Sequence, residues 1–127
     1  MAGNLSNYLE NKLIDHFLGT TTYTKPSAVY VGLFTVSPGE AGGGTEVTGG
    51  SYARQAATFT AAASGATSNN SNLDFTGMPA ATTVAIGIFD NLTSGNMLLY
   101  GSLTTNKTTD AGDTLRIATG DLDISID

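Results

Sequence analysis

Beyond Thr24 the chain never again sustains a helical hydrophobic period, and this limits its fold more than any other feature does. From Lys25-Pro26 onward the apolar residues come in short runs of period two, broken about every ten residues by Gly, Thr, Ser and Asn. Val29, Val31 and Leu33 alternate with Tyr30, Gly32 and Phe34, which predicts a strand apolar on both faces and therefore central in a sheet. Residues 52–60 predict a strand of small side chains, with Arg54 on one face and Phe59 on the other. Further strands are expected over 73–75, 83–89, 97–103, 114–118 and 122–126. Turn chemistry separates them in Thr76-Gly77-Met78-Pro79, in residues 90–96 and in Asp110-Ala111-Gly112-Asp113. Residues 37–46 are Gly-rich and predict a mobile surface excursion, and residues 61–72 predict a polar connection. About seven short strands so spaced favour a β-sandwich or jelly roll, with a small barrel as the alternative. No segment repeats.

Before Thr24 the pattern is helical. Leu5, Leu9, Leu13 and Phe17 recur at four-residue steps, and Ile14 and Leu18 widen the stripe. Asn4 is the expected N-cap and Gly19 the expected residue after the C-cap, which sets an amphipathic helix over 4–18, about 20 Å long. Its stripe is expected to pack on its own domain, the alternative being a neighbouring subunit, so Leu9, Leu13 and Phe17 are candidate partner-binding residues. His16, the only histidine, falls between the two faces with no partner that would make it a base or a ligand.

A chain of 127 residues is expected to form one domain over 1–127, with the β body over 25–127, and is long enough to need no staples. It has no cysteine, which excludes disulfides, thiolate metal sites and cysteine nucleophiles. The net charge is −6, and the five basic residues are scattered, so nucleic acid is not an expected partner. No apolar run approaches the roughly 20 residues of a membrane span, and Met1-Ala2-Gly3-Asn4 does not open a signal peptide. A soluble product of a cytoplasm is expected. The Gly-rich loop at 37–46 lacks the Gly-Lys-Ser/Thr ending of a phosphate loop. Asp121, Asp123 and Asp127 alternate along a strand, which spreads their oxygens instead of gathering them on a calcium ion. Asp110 and Asp113 flank a turn among Thr and Gly, without the apolar surroundings that would split their pKa values. Asn-X-Ser/Thr triplets at Asn4, Asn69, Asn91 and Asn106 accept glycans only on a secretory route. The expectation is a protein without catalytic residues, metal or cofactor.

Several stretches, taken in order, resemble a family of small tailed-bacteriophage virion structural proteins, variously labelled head decoration (cement) or tail fibre. They are Asn11-Lys12-Leu13-Ile14-Asp15-His16, Tyr30-Val31-Gly32-Leu33-Phe34-Thr35, Gly44-Thr45-Glu46-Val47 and Gly49-Gly50-Ser51-Tyr52-Ala53-Arg54-Gln55, then Gly87-Ile88-Phe89-Asp90, Gly101-Ser102-Leu103-Thr104-Thr105, Lys107 and Gly112-Asp113-Thr114-Leu115. The resemblance covers essentially the whole chain and implies a virion component, made in the host bacterial cytoplasm, with no catalytic residues to carry over. It adds Tyr52, Arg54 and Gln55 as candidate partner-binding residues, with Arg54 expected either to reach a partner or to pair internally with Asp74 or Asp90. Because the chain has neither shaft nor repeat, a capsid cement protein bound to the outer surface of the major capsid protein is the expected role. A tail, tail-fibre or baseplate component is the alternative, and a carbohydrate-binding module without Trp has the least support. Such proteins act by repeated contacts, so a homo-oligomer, trimer or dimer, is expected.

Overall fold

A computed structural model describes residues 4–126 of the chain. It opens with a two-residue strand, β1 (Asn4–Leu5), and one helix, α1 (Asn7–Phe17). Then follow β2 (Val29–Val36), β3 (Thr45–Glu46), β4 (Gln55–Ala57), β5 (Ala66–Ser68), β6 (Leu73–Met78), β7 (Ala81–Phe89), β8 (Met97–Thr109), β9 (Asp113–Ile117) and β10 (Asp123–Ser125). Six strands form one antiparallel sheet in the order β1-β8-β7-β2-β3, with β4 also paired to β2. Two smaller sheets, β6 with β9 and β5 with β10, complete a β-sandwich.

The apolar alternation explains the layering. Val31 and Leu33 of β2 and Ile86 and Ile88 of β7 join Leu73, Phe75, Met78, Leu115 and Ile124 of the small sheets in the main core. The residues of opposite parity, Phe34, Ala85 and Phe89, meet Met97 in a second cluster on the other face of the large sheet. So β2 and β7 are apolar on both faces, and β2 lies inside its sheet, as its pattern predicts. At the waist of the sheet Gly32 faces Gly87 across the β2–β7 ladder.

Several boundaries differ from the sequence reading. The helix starts at Asn7, because the Ser6 hydroxyl accepts from the Leu9 N–H at 3.2 Å and takes the N-cap expected of Asn4. Asn4 and Leu5 extend instead as β1 beside Tyr100 and Leu99. The strand expected over 52–60 shortens to β4, since residues 52–54 turn inward to the site described below. The connection over 61–72 contains β5, and the described strands number ten, three more than the approximate seven, mostly because of pieces of two or three residues. The Gly-rich excursion is anchored: the Asn7 N–H donates to the Glu40 carbonyl at 3.1 Å, and Pro38 is buried.

Candidate functional site

Two regions carry the candidate residues. In the first, the Gly49-Gly50-Ser51 turn aims Tyr52 and Arg54 into the body. Gly50 holds φ at 57° and passes directly under the Gly77 carbonyl, which accepts from the Ser51 N–H at 2.7 Å; a Cβ there would strike that carbonyl. Tyr52 then stacks on Phe75 with centroids 6.1 Å apart. Its hydroxyl accepts from the Leu33 N–H and donates to Glu46 Oε2, both at 2.8 Å. Arg54 grips the same carboxylate with its fork, Nε to Oε2 at 2.9 Å and Nη2 to Oε1 at 2.8 Å. Its Nη1 donates to the carbonyls of Asn91 (3.0 Å) and Ser94 (2.8 Å), and the guanidinium lies 3.6 Å from the Phe89 ring centroid. Burial above all, and then the Glu46 hydrogen bond, push the Tyr52 hydroxyl far above the ordinary phenol range, against the opposing pull of the Leu33 N–H. The phenol therefore remains a proton donor to Glu46.

Chemically this cluster holds and does not react. It ties β2, β3 and the loop after β7 to one carboxylate and leaves no nucleophile or free base. Of the two internal partners expected for Arg54, neither is used. Asp74 pairs with Arg116 through bonds of 2.6 and 3.0 Å, and Asp90 accepts from the Asn96 N–H (2.7 Å) and side-chain amide (3.0 Å). Gln55 is half-buried in β4, and its amide donates to the Ala53 carbonyl.

The second region is α1, which is pinned at one end only. The Ser6 N–H donates to the Leu98 carbonyl (2.8 Å) and its hydroxyl to the Met97 carbonyl (2.5 Å), so the helix springs from the start of β8. Leu9 is buried and Leu13 half-buried, but Ile14, Phe17 and Leu18 are exposed. The stripe Leu9, Leu13, Phe17 thus grades from inside to outside as the helix leaves the sheet. Beyond Leu18, Gly19 donates to the Asp15 carbonyl at 3.1 Å, in the closing role expected of it. The Tyr23 N–H then returns to His16 Nδ1 at 3.0 Å.

Sequence reasoning missed two residues. Glu46 sits at the end of a loop where nothing in the apolar pattern distinguishes it. Asn69 lies fully buried in the expected polar connection, with every polar atom engaged. Its amide donates to the Ser71 and Ala118 carbonyls, and its oxygen accepts from Gly120 and Leu122, all between 2.9 and 3.1 Å. Among the aspartates, Asp121 and Asp123 are exposed, Asp127 lies outside the described residues, and Asp113 accepts from the Asp110 N–H across their turn. Among the described residues no three His, Cys, Asp or Glu side chains are placed to hold a metal ion, and no helix is long and apolar enough to cross a membrane.

Nearly the whole chain, both regions included, fits one family of phage proteins. Residues 4–125 match the family model of the podophage GP4 fiber I protein gp80. The chain belongs to this family. It is therefore a phage structural protein of the tailed-phage virion class. No curated protein matches it. The family match takes in both the braced Arg54 cluster and the projecting helix.

Proposed function

We propose that the protein is a non-enzymatic subunit of the phage tail, a fibre or fibre-associated component, working by protein–protein contact with other tail proteins. The observation that carries this reading is the match to a fibre family over residues 4–125. It favours the tail alternative over the capsid cement role first expected. The absence of shaft and repeat argued against a complete receptor-reading fibre, but it does not argue against a small fibre subunit. The two regions of the site fit a load-bearing part: a cross-braced sandwich with four of the five Arg54 guanidinium donors engaged inside, and a helix carried away from the body. The reading is tested by labelling intact virions with an antibody against this chain. Label confined to the tail at a few copies is the expected outcome, and label across the head lattice overturns it in favour of the capsid shell.

A further inference from the structure

We infer that the hydrogen bond from the Tyr23 N–H to His16 is a proton-operated latch. It ties the segment between α1 and β2 to the helix while the imidazole is neutral and lets it go when the imidazole is charged. The bond is 3.0 Å long and ends on Nδ1. An imidazole nitrogen accepts an N–H only through a free lone pair, so the neutral ring carries its proton on Nε2. An imidazolium has an N–H at both positions and accepts nothing. Charging the ring therefore turns the acceptor into a second donor facing the Tyr23 N–H, and the bond is lost without any other change.

The importance of the bond lies in what it holds. Residues 20–27 lead from the end of α1 toward β2, and among the described residues this is the one hydrogen bond they make. Most of them are exposed, and Tyr23 is half-buried. Its phenol is pushed above the ordinary value by burial and then by the nearby Tyr8 and Asp90, so the latched segment brings this ring back toward the first turn of the helix and the loop after β7. The other end of α1 is fixed differently. There Ser6 and Asn7 donate to the carbonyls of Met97, Leu98 and Glu40, and none of these groups titrates. Acid thus loosens one end of the helix and spares the other. Eight unlatched residues span up to about 25 Å, which is slack enough for the Ile14–Leu18 end to swing about Ser6. The charged and titratable groups around the latch are Lys12 and Asp15 on α1, Tyr8 on its first turn, Tyr23 and Lys25 on the segment, and Asp90 from the body.

NMR of the nitrogen-15-labelled chain tests the latch, because an N–H···N bond carries a scalar coupling between its two nitrogens. With the ring neutral, the Tyr23 amide and His16 Nδ1 should be coupled. That amide should also exchange about threefold to tenfold more slowly than an unbonded one, after correction for the intrinsic rate at each pH. Both signals should disappear together as the pH falls, at the midpoint where the His16 ring carbons titrate, while the Ser6 and Leu9 amides keep their protection. His16 is exposed, so His16→Ala should fold normally and show neither signal at any pH, again with Ser6 and Leu9 unchanged. A coupling that persists through the His16 titration overturns the latch, as does a loss whose midpoint follows the Asp15 or Asp90 carboxyl. Equal protection of Tyr23 in His16→Ala overturns it too. The measurement is made on the free chain, so its outcome is independent of the tail reading.

Discussion

The protein contains two arginine–carboxylate pairs of nearly the same geometry, and they do different work. Arg54 and Glu46 meet at 2.8 Å with side chains 9% and 25% exposed; Arg116 and Asp74 meet at 2.6 Å with side chains 58% and 37% exposed. The shorter contact is the weaker structural element. Around Arg54 an aromatic ring, two loop carbonyls and a tyrosine hydroxyl exclude water and use the remaining hydrogen-bonding groups, so loss of one member strands the others. Around Arg116 water can replace either partner. A guanidinium becomes structural through what encloses it, not through its carboxylate.

The largest expected effect breaks the enclosed pair. Arg54→Ala leaves Glu46 partly buried beside Tyr52 and should cost about 3 kcal/mol, or a fall of about 10 °C in melting temperature by calorimetry. Arg54→Lys should recover only part of it, because one ammonium cannot bridge both carboxylate oxygens and both carbonyls. Next comes Gly32→Ala, which leaves the pair present but crowds it. A Cβ at Gly32 would sit 2.8 Å from Glu46 Oε2 and 3.3 Å from the Tyr52 hydroxyl, so a loss of about 2 kcal/mol is expected in denaturant unfolding.

Tyr52→Phe sharpens the comparison further. Removing the hydroxyl leaves the Leu33 N–H without its acceptor and should cost about 1–2 kcal/mol at neutral pH. The phenol pKa is raised on folding, so its contribution is complete below the ordinary tyrosine value of about 10 and is lost as the pH rises past it. Wild-type stability should therefore fall more steeply than that of Tyr52→Phe above about pH 10.

The smallest effect belongs to the open pair. Arg116→Ala should melt with the parent. Its signature is electrostatic: the hydrogen bond and charge of Arg116 hold the Asp74 carboxyl below the ordinary range, so an NMR titration should show Asp74 moving up in the variant. A depressed carboxyl contributes above its unfolded value, about 3.9, and loses that contribution as the pH falls through the folded one. Any difference between the two proteins should therefore vanish in acid.

Much of the fold was legible because strands with one or two buried faces write a period of two directly into the chain, as in β2, β7 and β10. Arg54 stood out because a lone basic residue among small ones must go somewhere. Its partner did not, since pairing across β2 and the Gly49–Gly50 turn is a matter of three-dimensional register, and Asp74 and Asp90 offered the same charge. Asn69 left no trace at all: its four hydrogen bonds run to backbone groups up to 53 residues away, and backbone groups are the same whatever the sequence. The helix was read correctly as amphipathic, but a stripe gives no sign of where the supporting sheet stops, so the change between Leu9 and Phe17 could not be foreseen.

Ser6 and Met97, which anchor the helix to the sheet, are 91 residues apart in the chain. The surface that receives Leu9 is thus made about ninety residues after Leu9 itself. At about 5–20 residues per second, the segment that carries Leu9 waits roughly 5–20 s for its seat. During that interval an apolar segment hangs from the ribosome with nothing of its own to lie against. Chaperone capture or premature clumping of growing chains would strike there first, and a chain released before β8 is complete would keep that end open to proteases.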